Sequence, residues 1–285
     1  MSTAPVREAE SPAAPRALIV SLFGLYAREL GGWLSVATIV RLMADLGVDE
    51  QATRSAISRL KRRGWLDAEK DGRTAGYRVS ADALAILAEG DDRIFGRRRA
   101  TADDGWLLVA FSVPESERDQ RHRLRTTLAR LGLGTVGPGT WVAPGHLDEA
   151  VLGALDRGGL RQFTDVFRAT HLSSRPPRDT IAAWWDLDAL QATYADYLRR
   201  FSAVAERWPD GPVDDAEAFA DYVPAVTAWR RLPYLDPGLP LEALPEDWIG
   251  LRAEALFARF REHLAAPAAA HVLGALRARE QKMSV

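Results

Sequence analysis

The sequence predicts an α+β chain in three parts: an N-terminal winged helix-turn-helix over residues 16–92, a central ferredoxin-like domain over 93–175 and an all-helical domain over 176–285. Three observations predict it. Two amphipathic helical runs are followed, across a glycine, by a third that is basic on its outer face and leads straight into an extended hairpin. A second stretch alternates extended and helical patterns in the order βαββαβ. Beyond a linker rich in proline and serine, the pattern is helical alone. The 285 residues, 47% of them hydrophobic, suffice to bury the cores this arrangement needs.

Residues 1–15, "MSTAPVREAESPAAP", are rich in Ala, Pro and Glu and predict a disordered arm. Over 16–30, apolar residues recur at Leu18, Ile19, Leu22, Phe23, Leu25 and Tyr26 until Gly31-Gly32 end the run. The stretch 17–26 has the length of a signal h-region. Acidic residues precede it and no small-residue cleavage site follows, so a buried helix is expected. Ser35 is placed to cap a second helix with Ile39, Val40, Met43 and Leu46 inward, stopped by Gly47. Asp49 is placed to cap a third. At about 100° per residue, Thr53, Ala56, Ile57 and Leu60 share one face of it, and Gln51, Arg54, Ser55, Ser58 and Arg62 share the opposite one. After Gly64, "WLDAEKDGRTAGYRVS" holds two extended runs around Asp71-Gly72, a hairpin signal.

The second part begins after a basic linker, "RIFGRRRA" at 93–100. "WLLVAFSV" (106–113) predicts a buried strand, and "ERDQRHRLRTTLARLG" a charged helix with Leu124, Leu128 and Leu131 inward. Two short strands around Pro138-Gly139, a helix in "LDEAVLGALDRGG" and a strand in "QFTDVFRATHL" complete the pattern. Residues 173–179, "SSRPPRD", predict a linker. Helices are then expected over about 188–208, 214–232 and 246–264, with an alanine-rich run ending near Glu280.

Several chemistries are excluded. With no cysteine there are no disulfides, thiolate nucleophiles or thiolate metal sites, which fits a reducing cytoplasm. His122, His146, His171, His263 and His271 stand far apart, and none pairs with another at helical spacing, so no metal site is expected. "GLGTVG" (132–137) matches a dinucleotide fingerprint in letters only, because it follows a helix and enters a strand. No nucleophile elbow or Walker loop occurs, so neither catalytic residues nor a cofactor are expected. Asp103-Asp104 and Asp214-Asp215 are explained by a linker and a helix N-terminus. No run approaches the roughly 18 apolar residues of a membrane span. The formal net charge of -2 hides an uneven distribution, so it does not exclude nucleic acid.

"RALIVSLFGLY", "QATRSAISRLKRRGWL", "GRTAGYRVS" and above all "WRRLPYLDPGLPLEALPEDWIG" (229–250) resemble the PaaX-like family of phenylacetate-degradation repressors, over nearly the whole chain from 16 to about 264. The resemblance implies a homodimeric bacterial transcription regulator, usually a repressor of catabolic genes, released in its best-known members by an aryl-acetyl coenzyme A thioester. It also implies a central domain similar to the small ferredoxin-like nuclease of CRISPR adaptation. That nuclease carries a metal-binding aspartate after an aromatic residue at the end of its first strand. The matching position in "AFSV" is Ser112, after Phe111, and a neutral serine cannot replace a metal-binding carboxylate.

The expectation is therefore a ligand-responsive repressor bound to a double-stranded DNA operator as a homodimer on an inverted repeat. Gln51, Arg54, Ser55 and Ser58 are expected near base edges, and Arg59, Lys61, Arg62 and Arg63 near phosphates. Arg73 and Arg78 of the hairpin are expected on the neighbouring backbone or minor groove. For an acyl-CoA effector, the C-terminal region offers aromatic surface at Trp184, Trp185, Tyr194, Tyr197, Trp229 and Tyr234 with arginines at Arg175, Arg178, Arg230 and Arg231. The same spacing equally suits a helical core with solvated arginines. Two other functions stand beside the repressor: a nucleic-acid-processing enzyme built on the central domain, and a protein-docking scaffold.

Overall fold

The computed structural model describes residues 14–172, 175–208, 211 and 213–283. In chain order its elements are α1 (Pro15–Leu22), β1 (Trp33–Ser35), α2 (Val36–Asp45), α3 (Glu50–Arg62), β2 (Leu66–Asp71), β3 (Thr74–Val79) and α4 (Ala81–Phe95). Then follow β4 (Trp106–Phe111), α5 (Arg118–Arg130), β5 (Gly134–Gly137), β6 (Thr140–Pro144), α6 (Asp148–Arg157) and β7 (Thr164–Ala169). The rest is helical: α7 (Pro177–Trp184), α8 (Leu187–Ala205), α9 (Asp215–Trp229), α10 (Leu232–Leu235) and α11 (Ile249–Met283). The chain forms two compact units, one of Met1–Leu84, Pro212–Ala228 and Glu262–Val285, the other of Ala85–Gly211 and Trp229–Arg261. The helices after residue 176 are thus divided between them. The arm expected over 1–15 lies outside the described residues up to residue 13. Pro15 opens α1, at a position where its missing N–H leaves no bond unmade.

In the first unit the helical run over 16–30 changes form along its length. It is an α-helix to Leu22, a π-helical turn over Phe23–Ala27 and a 3-10 turn over Arg28–Leu30. Gly31 and Gly32 end it with φ of 83° and 80°, values that favour glycine. Ser35 caps α2 as expected, its Oγ accepting from Thr38 N at 3.0 Å. Leu42 is buried with Thr38, Ile39 and Met43, while Val40 and Leu46 are only half-buried, since the inward stripe is rotated by about one residue from the expected one and Leu46 is already the C-cap. The three residues of β1 went unpredicted because three positions carry no alternation to read. They pair with β3, Trp33 opposite Arg78 and Ser35 opposite Gly76, giving a sheet in the order β1-β3-β2. Gly76 is required there: a Cβ would lie 2.3 Å from the Trp33 ring. Leu18, Ile19, Leu22 and Phe23 of the N-terminal helix close the core against Ile39, Met43, Ile57 and Leu60.

In the second unit a four-stranded antiparallel sheet has the order β5-β6-β4-β7, the topology of a ferredoxin-like βαββαβ sandwich. Leu107 and Val109 of the central strand pack with Leu124 and Leu128 of α5, Val151 and Leu155 of α6, and Trp141. The first strand ends at Phe111 rather than Val113. Helix α7 starts inside the stretch predicted as a linker, with prolines before and at its first position. At the C-terminus, the two helices expected on either side of Pro267 are one, α11. A proline inside a helix costs about 3 kcal/mol; the alanines on both sides, the best helix formers, offset it.

Candidate nucleic-acid interface

The site is built on α3. Asp49 Oδ1 accepts from Ala52 N at 2.8 Å and fixes the first turn. Thr53, Ala56, Ile57 and Leu60 are buried, which fixes the rotation of the helix. Gln51, Arg54, Ser55, Ser58, Arg59, Lys61, Arg62 and Arg63 are therefore all exposed. Among the described residues, Arg59, Lys61, Arg62 and Arg63 have no ion-pair partner, so four cationic side chains face water with no carboxylate to satisfy them. Arg54 is held by Glu50 one turn back, Nε to Oε1 at 2.7 Å. Both are well exposed, and such a pair is weak enough for the guanidinium to exchange it for another acceptor.

The hairpin of β2 and β3 supplies the second element. Arg73 stands exposed beside Gly72, whose φ of 57° makes the turn. Arg78 has a different role from the one expected. It donates to both oxygens of Glu69 on the paired strand and to the Gly31 carbonyl. This bond holds the Glu69 carboxyl below its ordinary pKa and ties the hairpin to the turn before β1. Its guanidinium is occupied in bracing the sheet.

In the central domain, Ser112 lies exposed just past β4, its backbone N–H donating to Phe163 O at 3.0 Å. Asp104 belongs to a capping box with Thr101 and pairs with Arg98. Among the described residues, no group of three His, Asp or Glu is placed to hold a metal ion.

The ten residues expected around an effector do not converge. Tyr194, Tyr197 and Trp229 are core: Tyr194 donates to Asp236 Oδ2 at 2.8 Å, Trp229 to Ile94 O at 3.1 Å, and Trp229 stacks on Phe257 at 4.6 Å. Trp185 is buried with its Nε1 on Gly132 O at 2.8 Å. Trp184 is half-buried, edge-on to Trp106, and Arg230 and Tyr234 are half-buried as well. Arg175, Arg178 and Arg231 are exposed, Arg178 donating to Leu244 O at 3.2 Å. None of the ten lines the 580 Å³ cavity of this unit, whose wall includes Arg93, Arg98, His146, Glu149 and Pro237. The spacing of these rings suits a ligand or a core alike, and the fold buries Trp185, Tyr194, Tyr197 and Trp229 in the core.

The basic stretch 93–100, read as a linker, is an internal clamp. Arg97 donates to Asp236, which is 1% exposed, and lies 3.2 Å from Glu254; Arg99 pairs with Glu254 and stands 3.7 Å from Asp236. Asp236 also accepts from Tyr194 OH and from the backbone N–H groups of Gly238 and Leu239. Burial alone would raise its pKa, but Arg97 and Arg99 hold it below the ordinary range. Arg93 donates to the Pro233 and Leu131 carbonyls and lies over the Tyr234 ring at 4.8 Å, and burial pushes its guanidinium down to about 10. The signal available in the sequence was the lone aspartate of "PYLDPG", an acid fixed between prolines.

Comparison with known proteins covers the same ground. A model described as PaaX-like protein matches residues 14–83, one described as PaaX protein central Cas2-like domain matches 99–181, and one described as PaaX-like protein C-terminal domain matches 185–274. The Transcriptional repressor PaaX of Escherichia coli (strain K12) is 26% identical over 269 residues, 92% of this chain and 84% of that protein. Among solved structures, the uncharacterized protein Rv0674 from Mycobacterium tuberculosis shares the fold, with a TM-score of 0.56 and 24% identity, over 90% of this chain and 97% of that one.

Proposed function

The chain belongs to the PaaX-like family, and from that premise we propose that it represses transcription by reading an operator with α3 of a winged helix-turn-helix. It is a transcriptional regulator and not an enzyme. The observation that carries the finer reading is the outer face of α3: seven exposed polar or basic side chains on a helix whose rotation is fixed by four buried ones, with an eighth, Arg63, at its C-cap. Gln51, Arg54, Ser55 and Ser58, toward the helix start, suit hydrogen bonding to base edges in the major groove. Arg59, Lys61, Arg62 and Arg63 suit phosphates, and Arg73 at the hairpin tip suits the neighbouring backbone. Arg78 supports the hairpin from within.

A homodimer on an inverted repeat is part of this reading, because two copies related by a two-fold axis present two such helices. So is a cytoplasmic location, where the DNA is, and no helix among the described residues is long and apolar enough to cross a membrane. Release by an acyl- or aryl-acyl-CoA is the third part. Arg175, Arg178 and Arg231, which are exposed, and Trp184, Arg230 and Tyr234, which are half-buried, are the members of the expected set that a ligand could reach, and the cavity beside Arg93 and His146 is of a size that holds a small-molecule group. The test is a gel shift on the DNA upstream of the protein's own coding sequence, with and without a panel of acyl thioesters. A specific shift released by one thioester is expected. No shift on this DNA or on the DNA of neighbouring operons sinks the operator reading, and a shift that no thioester alters sinks the effector.

A further inference from the structure

Residues 120–147 contain four arginines and two histidines and not one carboxylate. In the second unit this stretch folds as α5 from Gln120 onward and the β5–β6 hairpin, so these elements carry no acid beyond Asp119; Arg118, at the start of α5, is flanked by exposed Glu117 and Asp119. The arginines of α5 divide into two kinds. Arg121 is tied to the Val113 carbonyl and to Glu115, and Arg123 to Gln120 and the Gly158 carbonyl. Arg118, Arg125 and Arg130 are exposed and have no partner among the described residues. With exposed His122 between them, Arg118 and Arg125 form one stripe, seven residues apart and so about 10 Å along the helix. That is the rise of about three phosphates along one strand of a duplex.

Arg125 also borders a 310 Å³ groove with Thr135, Gly137, Pro138, Gly139 and Trp141. Thr135 is exposed, and nothing lies within 4 Å of where a Cβ on Gly137 would be, so a ligand could approach the backbone closely. A free guanidinium, a hydroxyl and open backbone beside an apolar floor suit a phosphate and its sugar. We propose that α5 and the β5–β6 hairpin form a second contact surface for the phosphate backbone of duplex DNA, without base readout. The proposal rests on the DNA-binding reading above and adds a surface outside the winged helix-turn-helix.

The experiment measures fluorescence anisotropy of the full chain on two duplexes of about 60 base pairs, one from its own upstream region and one of scrambled sequence, across a salt series. R118Q/R125Q is expected to weaken both duplexes by the same factor. Its slope of log K against log salt should be shallower by about 1.8 per bound protomer, about 0.9 for each lost contact. The loss should then be about tenfold greater at 50 mM than at 200 mM salt. R118K/R125K keeps the charge and should keep the parent slope. Affinity and slope unchanged in R118Q/R125Q, while Arg62→Ala weakens binding, would make this a solvated face and overturn the proposal alone. A parent chain that binds neither duplex overturns the DNA-binding reading and this surface with it.

Discussion

Two basic runs of this chain, 54–63 and 93–100, have similar composition and opposite surroundings. The first lies on α3 with its arginines and lysine in water, Arg54 loosely paired to Glu50 and Arg59, Lys61, Arg62 and Arg63 unpaired among the described residues. The second is folded inward, its Arg97 and Arg99 bound to Asp236 and Glu254, about 140 and 155 positions further along the chain. What separates them is the supply of counter-ions. A cationic run whose carboxylates arrive from elsewhere in the fold is structural; one left without them is available to a polyanion. Composition does not make that distinction, and only the tertiary contacts of the acids do.

Breaking the inner run should give the largest effect. Asp236→Asn leaves two buried guanidinium groups short of a partner and should destabilise the protein by about 3–5 kcal/mol, measured by urea unfolding at pH 7. The Asp236 carboxyl titrates below its unfolded value of about 3.9. Its contribution is therefore complete above about pH 4 and is lost as the pH falls through the folded value, so the gap between parent and variant should narrow below about pH 4. A gap under about 1 kcal/mol at pH 7 would put this run in the same solvated class as α3.

The outer run should respond in binding instead. Arg54→Ala should cost about 1–3 kcal/mol in affinity for operator DNA and relax preference at one base pair, while unfolding stays within about 0.5 kcal/mol of the parent. Base preference unchanged in a selection from randomised half-sites would remove Arg54 from the reading set. A smaller effect sharpens the same contrast: Asp49→Ala removes the cap of α3 and should cost about 1 kcal/mol of stability, with a matching loss of helix-start protection in hydrogen exchange.

Much of this was legible locally. The caps at Ser35 and Asp49, the turn at Asp71-Gly72 and the buried face of α3 depend on residues within a few positions of one another, and these were readable. The βαββαβ order followed from alternation and helical period in turn. What stayed hidden depended on distance in sequence. β1 exists only because β3, some forty residues on, offers it a ladder, and Arg78 is withdrawn from the DNA-facing set by Glu69 and the Gly31 carbonyl. Trp185, Tyr194, Tyr197 and Trp229 show the same limit. A ring spaced for an amphipathic helix has one pattern whether it faces a ligand or the core, and here each is buried. The C-terminal helix differs in the other direction: the helix expected to end near 264 and the alanine-rich run after it are one, α11, with Pro267 inside it.

The most direct test of the central claim, that the unpaired cations of α3 meet DNA phosphates, is the salt dependence of binding for Arg62→Ala on the upstream duplex. The parent should lose affinity steeply as salt rises, and the variant should bind more weakly with a slope shallower by about 0.9 per protomer, equally on specific and scrambled sequence. A variant with the affinity and slope of the parent on both duplexes would contradict it.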